Sequence, residues 1–199
     1  SYNNLSCCII ASTRDVTHKP AYIEDCDNIT YIEYGKEQRD CATMQIDFVI
    51  HSAAPTSNKF FKSHPVESLH VIVDGTESIL QLTREHKAKM IYISSEEVYG
   101  TPESNEPIAE NFVGAINSFS TRSCYPLGKK IAELLCHCYH EEYGVDVCII
   151  RPTVILGLWQ EYDSVKVEME ILRCIMENKN LFMMSDGSTR KCVIYSLDA

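Results

Sequence analysis

The sequence has few glycines and no long apolar run, and both absences narrow the possible classes of protein. Only eight glycines occur among 199 residues, and none forms the GxGxxG or GxxGxxG spacing of a phosphate-binding loop. The longest apolar runs, Cys7–Ala11 and Val147–Ile150, are far too short to span a bilayer. The first residues lack the basic and apolar regions of a signal peptide. We therefore expect a cytoplasmic protein that does not cross a membrane.

Basic residues are also scarce. The chain has 18 Lys and Arg against 28 Asp and Glu, which gives a net charge of −10. A surface of this charge repels phosphate backbones, so we expect no nucleic-acid partner. Apolar residues make up 45% and charged residues 23% of the chain, which is typical of a folded globular protein and not of a disordered one.

The ten cysteines form no CxxC pair and no regular framework. Four of them lie inside apolar, strand-like runs, namely Cys7, Cys8, Cys148 and Cys192. This placement favours buried free thiols in a reducing compartment over a disulfide scaffold. Cys136 and His140 are spaced i, i+4 on a predicted helix, but a metal would need further ligands from elsewhere. We therefore expect no metal site.

Strand-like and helix-like patterns alternate along the chain. Strands are predicted at Cys7–Ser12, Ile29–Glu33, Ile46–His51, Met90–Ser94 and Val145–Arg151. Helices are predicted at Pro65–His86, from Leu127 to Gly144, and at Val165–Asn178. This alternation predicts a doubly wound α/β fold with a parallel sheet covered on both faces.

The sequence also predicts the apolar face of the second helix, a long loop and two short strands near the end of the chain. The second helix carries an apolar stripe of Leu127, Ile131, Leu134, Leu135 and Cys138. Thr101–Thr121 is predicted to be a long loop, and loops of this length are usually functional. Two short strands, Leu181–Met184 and Cys192–Tyr195, are predicted to flank a turn at Asp186–Thr189.

Tyr125 and Lys129 form a YxxxK spacing at the start of the second long helix. Residues four apart share one helical face. A neighbouring ammonium favours the phenolate of a tyrosine, so the pair is suited to act as a general base on a substrate hydroxyl. Taken alone, the spacing is more often just an exposed tyrosine and lysine. Pro126 places Tyr125 at the entrance of the helix.

Two further segments follow predicted strands, where ligands bind in such folds. Ser95, Glu96 and Glu97 come after MIYIS. Adjacent carboxylates repel each other, so one of the two can keep its proton and act as an acid while the other acts as a base. The alternative is two solvated acids in a turn. His51–Thr56 comes after IDFVI, and its small residues allow a flat or phosphorylated ligand to approach the backbone. The alternative there is a tight turn.

Together these segments resemble the extended short-chain dehydrogenase/reductase family, specifically the NAD-dependent epimerases and dehydratases that act on nucleotide sugars. The resemblance runs from about Cys7 to Ala199 and rests on IDFVIHSAAPTS, VDGTESIL, MIYISSEEVYG, TRSCYPLGKKIAELLCHCYHEEYG, VCIIRPTVILG and SDGSTRKCVIYSLDA. The separation of 30 residues between Ser95 and Tyr125 fits extended members better than short ones.

The resemblance implies a Rossmann-like fold, NAD as cofactor and a nucleotide-sugar substrate. It implies that Ser95 binds the sugar hydroxyl that is oxidised, that Tyr125 removes its proton, and that Lys129 binds the nicotinamide ribose. Glu96 and Glu97 match the acid and base of sugar 4,6-dehydratases, and decarboxylases also carry a glutamate at position 97. The segment around Arg122 resembles the decarboxylase version of the Tyr/Lys helix.

The remaining residues implied by the resemblance line the cofactor and substrate. Cofactor contacts are expected from Ser52, Ala53, Ala54, Pro55 and Pro152, with Tyr125 and Lys129, and Thr56 is expected near the substrate. The implied reaction begins with oxidation at sugar C4 and continues as dehydration or decarboxylation. A 4-epimerase and a non-catalytic protein that keeps the fold are the alternatives. A homodimer is expected by resemblance.

Several family features have no counterpart in these residues. The first strand and the glycine-rich loop are absent, so we expect the chain to open at the family's second strand. Lys36 stands where an acidic residue is expected, and Val154 stands where a polar one is. We expect residues 1–157 to form the NAD-binding domain and residues 158–199 to begin a truncated substrate-binding region. Without the loop, these 199 residues are expected to bind NAD weakly or not at all.

Overall fold

The computed structural model of the chain describes residues 7–17, 27–102, 104, 106–157, 160, 162, 166–182, 186–188, 190 and 192–198. The chain forms two compact units, Ser1–Ile150 and Arg151–Ala199. This division falls before the boundary predicted after residue 157, and that boundary stays a prediction. No helix within the described ranges is long and apolar enough to cross a membrane.

The first unit contains five strands and four α-helices, and the second contains two strands and one α-helix in the described residues. The strands are β1 Ile9–Thr13, β2 Ile29–Glu33, β3 Phe48–His51, β4 Lys89–Ile93, β5 Asp146–Ile150, β6 Val154–Leu156 and β7 Val193–Tyr195. The helices are α1 Glu37–Cys41, α2 Asn58–Ser63, α3 Pro65–His86, α4 Cys124–Tyr143 and α5 Val167–Met176. Short 3-10 helices occur at Glu96–Tyr99 and Thr121–Ser123.

The central sheet of the first unit has the strand order β3-β4-β5, and all its strands are parallel. Alternate side chains of these strands pack against α3 and α4. Its core is formed by Ile72, Leu80, Met90, Tyr92, Ala132, Cys136 and Val145, each at most 5% exposed. Since both long helices follow a strand and lead into the next, they place the carboxyl ends of β3 and β4 at one edge of the sheet.

The remaining strands pair separately and in parallel. In the first unit β1 pairs with β2, and this pair packs on α3 through a second cluster of Ile32, Cys41 and Leu82. In the second unit β6 pairs with β7, with Val154 opposite Val193. The predicted α/β class with parallel strands is confirmed, although the hydrogen-bonded strands of the described residues fall into three groups.

The other face of the central sheet carries exposed apolar side chains. Phe48 and Ile50 of β3 are 71% and 70% exposed, and Ile150 of β5 is 44% exposed. They alternate with the residues that pack on α3 and α4, as successive side chains of a strand must. The described helices of the first unit therefore cover one face of this sheet, where the sequence pattern predicted two.

The predicted burial of the cysteines is wrong for all four thiols that were placed in apolar runs. Cys7, Cys8, Cys148 and Cys192 are exposed. For Cys148 the reason is its position on the uncovered face of β5. The described cysteines are free, and Cys41, Cys124 and Cys136 are the buried ones.

Several element boundaries agree with the sequence pattern. β2 and α3 have the predicted limits, and Pro65 occupies the first turn of α3. Gly144 ends α4 in the left-handed region at φ 70°, where glycine has no side chain to clash. The long loop from Thr101 contains only a single bridge, to Ala115, in its described residues.

Other expectations need correction. The sequence reading missed α1, α2 and β6, because elements of three to six residues are too short to show a period. β7 pairs in parallel with β6. In the strand predicted at Leu181–Met184, Leu181 and Phe182 are not part of a strand, and residues 183 and 184 lie outside the described residues. The apolar stripe of α4 is correct only in part, since Leu135 packs against the main core whereas Ile131 and Leu134 are 44% and 61% exposed.

Candidate functional site

Ser95 lies at the point where the chain leaves β4. Its backbone is extended, at φ −160° and ψ 150°, and it precedes the 3-10 helix Glu96–Tyr99. The Ser95 hydroxyl accepts a hydrogen bond from the backbone N–H of Glu97 at 3.2 Å, so it acts as the cap of that helix. Ser95 is 9% exposed. The cap fixes the direction of this hydroxyl at the carboxyl end of the sheet.

Tyr125 lies in the first turn of α4, where Pro126 is tolerated. Its ring stacks on Phe61 of α2, with ring centroids 4.8 Å apart and an interplanar angle of 26°. Burial raises the pKa of the Tyr125 phenol, and the neighbouring Ser95 side chain acts in the opposite direction. The structure therefore brings Ser95 and Tyr125 together, although they are 30 residues apart in sequence.

Lys129 lies one helical turn after Tyr125 and is buried, with 2% exposure. Its ammonium donates a hydrogen bond to the backbone carbonyl of Ile93 at 2.6 Å and lies 4.8 Å from the centroid of the Tyr92 ring. Burial lowers the pKa of Lys129 to about 8, against an opposing effect of Glu133. The ammonium is thus bonded to the end of β4, and its contact with a nicotinamide ribose stays a prediction.

Glu97 has a cationic partner that the sequence reading did not assign. The Arg122 guanidinium donates through Nη2 to Oε1 of Glu97 at 2.8 Å. Arg122 belongs to the 3-10 helix that leads into α4, so the start of α4 brings it to the loop after β4. Glu96 is half-buried at the start of the other 3-10 helix. The two acids therefore have different surroundings, and their roles as acid and base stay predictions.

The predicted cofactor segment follows β3. Ala53, Ala54 and Pro55 are half-buried, Ser52 and Thr56 are exposed, and Ala54 packs against the main core. The preceding residue, His51, is buried, with its Nε2 3.1 Å from the Thr76 hydroxyl. Burial and the charge of Lys129 lower the pKa of His51 to about 4, so its imidazole is neutral at pH 7.

The other residues singled out in the sequence are Pro152, Cys136 and His140. Pro152 belongs to the second unit, so its predicted contact with a cofactor stays a prediction. Cys136 is buried in the core and His140 is exposed. Within the part of the chain that the structure describes, no group of three or more potential metal ligands occurs.

Phe61 was missed by the sequence reading although it supports Tyr125. It is 1% exposed and lies in the short helix α2. The sequence offers no signal for it, because the run NKFFKS has neither a motif nor a clear period. Arg122 had a weak signal, namely its place three residues before Tyr125.

A comparison with protein families identifies the chain. The model of the NAD dependent epimerase/dehydratase family matches residues 9–199. The chain belongs to this family, which confirms the resemblance seen in the sequence motifs. Ser95, Tyr125 and Lys129 stand at the positions that the resemblance assigns to the family's catalytic residues.

Curated relatives include UDP-glucuronic acid decarboxylase 6 of Arabidopsis thaliana, which is 30% identical over 155 residues. The match covers 78% of this chain and 45% of that protein. UDP-glucuronic acid decarboxylase 1 of Danio rerio is 28% identical, with 78% of this chain and 37% of that protein covered. The chain thus spans less than half the length of these relatives.

Solved structures share the fold. UDP-glucose 4-epimerase of Thermotoga maritima, crystallised with UDP-glucose, matches with a TM-score of 0.83 and 18% identity over 96% of this chain and 62% of that one. dTDP-glucose 4,6-dehydratase of Bacillus anthracis, crystallised with NAD, matches with a TM-score of 0.76 and 20% identity over 96% of this chain and 60% of that one. At these identities the likeness concerns the fold alone.

Proposed function

We propose that the full-length protein is an NAD-dependent enzyme that modifies a nucleotide sugar by oxidising its C4 alcohol to a ketone. The observation that carries this proposal is the closeness of the Ser95 hydroxyl to the Tyr125 phenol at the carboxyl end of the sheet. Family membership and the relatives that act on nucleotide sugars support it. Among the reactions open to a 4-ketone, we favour decarboxylation, because the curated relatives named above are decarboxylases.

The residues around the site fit the nicotinamide end of NAD. Ala53, Ala54 and Pro55 present small side chains after β3, and Tyr125 and Lys129 lie on the neighbouring helix. We propose that these residues hold the nicotinamide ribose. The bound nicotinamide supplies reversible two-electron oxidation of the C4 alcohol. The 199 residues contain no glycine-rich loop for the pyrophosphate, so the contacts proposed here concern the nicotinamide end of the cofactor.

The chain's own residues move the proton of the C4 hydroxyl. Ser95 accepts or donates a hydrogen bond to that hydroxyl and orients it. The Tyr125 phenolate then takes the proton as the C4 alcohol is oxidised, and it returns the proton when the ketone is reduced again. Because burial raises the pKa of Tyr125, little of the phenolate form is present at neutral pH in this structure. The rate of the oxidation step should therefore rise with pH.

The fate of the ketone depends on the group at C6. If C6 is a carboxylate, the bond between C5 and C6 breaks and carbon dioxide leaves. The bonding pair stays on C5 in conjugation with the 4-ketone until C5 is protonated. If C6 is a hydroxymethyl group, Glu97 takes the proton from C5 while Glu96 protonates the departing hydroxyl, which leaves as water.

The test is the variant Tyr125→Phe in the full-length protein, assayed with UDP-glucuronate and NAD for release of carbon dioxide. We expect turnover to fall by about 10²-fold or more, because a positioned acid–base group contributes roughly that factor. Tyr143→Phe removes the same hydroxyl from the exposed end of α4 and should leave turnover unchanged. Equal turnover in both variants would show that Tyr125 is not the base.

A second variant separates the possible reactions. Glu97→Gln should abolish dehydration of a neutral sugar while oxidation at C4 stays detectable, and full product formation would count against Glu97 as the base. A 4-epimerase is the second candidate, favoured by membership of a family that includes epimerases. It would release no carbon dioxide and would yield the C4 isomer. A non-catalytic protein would bind the nucleotide sugar without turnover.

We also propose a homodimer in which α4 takes part. Ile131 and Leu134 of α4 are 44% and 61% exposed, and apolar side chains of this size are usually covered when a helix lies at an interface. Light scattering of the full-length protein would show twice the monomer mass. The substitution Leu134→Glu should then shift the protein toward the monomer.

A further inference from the structure

Arg122 lies between a carboxylate and an aromatic pair at the candidate site. One side of its guanidinium contacts Glu97 at 2.8 Å. Its Cζ lies 5.1 Å from the ring centroid of Phe61 and 6.0 Å from that of Tyr125. Both distances are within the range in which a cation is attracted to an aromatic face. These contacts hold the guanidinium beside Tyr125.

The contact with Glu97 leaves most of the guanidinium available. Arginine carries five N–H donors in a fixed planar fork, and the described hydrogen bond to Glu97 uses one of them. The Arg122 side chain is 34% exposed and that of Glu97 is 40% exposed, so the pair opens toward solvent. A second anion is therefore able to reach the same guanidinium without breaking its contact with Glu97.

The contacts of Glu97 with Ser95 and of Arg122 with Tyr125 place this ion pair near the proposed position of the sugar. The backbone N–H of Glu97 donates to the Ser95 hydroxyl at 3.2 Å, and the guanidinium of Arg122 lies near the Tyr125 ring. If Ser95 and Tyr125 bind the hydroxyl on C4, then C6, which is two bonds from C4, comes close to the Glu97 and Arg122 pair. An uncompensated Glu97 would repel a negatively charged group at that place.

We infer that Arg122 is a specificity-determining residue that neutralises Glu97 and donates its remaining N–H groups to the C6 carboxylate of a nucleotide-linked uronate. This inference rests on the proposed function, which places C4 of the sugar between Ser95 and Tyr125. It distinguishes a uronate from a neutral hexose by charge. Loss of Arg122 removes the donor and leaves Glu97 to repel the carboxylate, whereas a C6 hydroxymethyl group carries no charge to be repelled.

The test is the ratio of two dissociation constants, measured by calorimetry on the full-length protein with UDP-glucuronate and with UDP-glucose. In Arg122→Gln we expect the dissociation constant for UDP-glucuronate to rise on the order of tenfold, and that for UDP-glucose to change much less. Partial unfolding of the variant would reduce binding of both sugars alike, so it would not change the ratio. Arg84→Gln is the matched control, since Arg84 stacks on Tyr143 at 3.7 Å and is exposed.

The outcomes separate this inference from the function on which it rests. A changed ratio in Arg122→Gln and an unchanged ratio in Arg84→Gln would support it. Equal weakening for both sugars, together with lost turnover in Tyr125→Phe, would overturn the role of Arg122 alone. A wild-type protein that binds neither nucleotide sugar would overturn the proposed function and this inference with it.

Discussion

The buried ammonium of Lys129 makes a measurable prediction about stability and pH. Burial lowers the pKa of Lys129 from 10.5 to about 8 in the folded protein. Between these two values the unfolded chain binds more protons than the folded one, so the contribution of Lys129 to the free energy of unfolding rises with pH. At about 1.4 kcal/mol per pKa unit, the full rise is about 3 kcal/mol.

The assay compares the wild type with Lys129→Met, which keeps the length of the side chain and removes its charge. Urea unfolding measured between about pH 7 and pH 10 should show the wild type gaining about 2–3 kcal/mol relative to the variant. Cys136 has the opposite dependence, since burial raises its pKa to about 12. It is present in both proteins, so its contribution largely cancels in the difference.

A matched control is Lys130→Met on the same helix, where the side chain is only partly buried. Its removal takes a positive charge from the same helix without emptying a buried site, so it isolates the effect of burial at Lys129. The reasoning about Lys129 would be refuted by a wild-type advantage that is flat or declines as the pH rises from 7 to 10. Such a result would mean that the folded protein keeps Lys129 hydrated.

Two further predictions concern packing. Ile72→Ala should lower the free energy of unfolding in urea by about 3 kcal/mol, because Ile72 is 1% exposed in the main core. Val66 is 66% exposed, so Val66→Ala should change the free energy of unfolding by less than about 0.5 kcal/mol. Equal effects of the two substitutions would contradict the core assignment. Gly144→Ala should cost about 1 kcal/mol for its positive φ. Gly100→Ala should cost about 2–3 kcal/mol, because its Cβ would also lie 2.7 Å from the Ala115 carbonyl. If both substitutions lowered the free energy of unfolding equally, the loop around Ala115 would have to move away from the added Cβ.

The sequence was most informative where elements are long or motifs are dense. The helix Pro65–His86 was predictable to the residue, because its length gives a clear period and Pro65 marks its start. Ser95 and Tyr125 were identified by their place after a strand and at a helix entrance. Their pairing agrees with the alternation of strands and helices, which requires the carboxyl ends of parallel strands to meet at one edge.

Short elements and partners distant in sequence were not predictable. Phe61 supports Tyr125 from a helix of six residues, which shows no period. The contact between Arg122 and Glu97 joins residues 25 apart and depends on how the start of α4 meets the loop after β4. The sequence does not predict this contact, because a charged residue on a loop looks the same in the sequence whether its side chain is solvated or forms an ion pair.

Local sequence alone determined the α/β class and the limits of the long helix, and it placed Ser95 after a strand and Tyr125 at a helix entrance, since these follow from period, capping and order along the chain. Tertiary structure alone decided which face each element buries. The stripe of larger apolar residues on α4 suggested Ile131 and Leu134 as its buried positions, but the helix packs through Gly128, Ala132 and Cys136. The reason is distance. An added Cβ at Gly128 would lie 3.3 Å from Ile72, so only small residues allow α3 and α4 to approach closely and bring Lys129 to the end of β4.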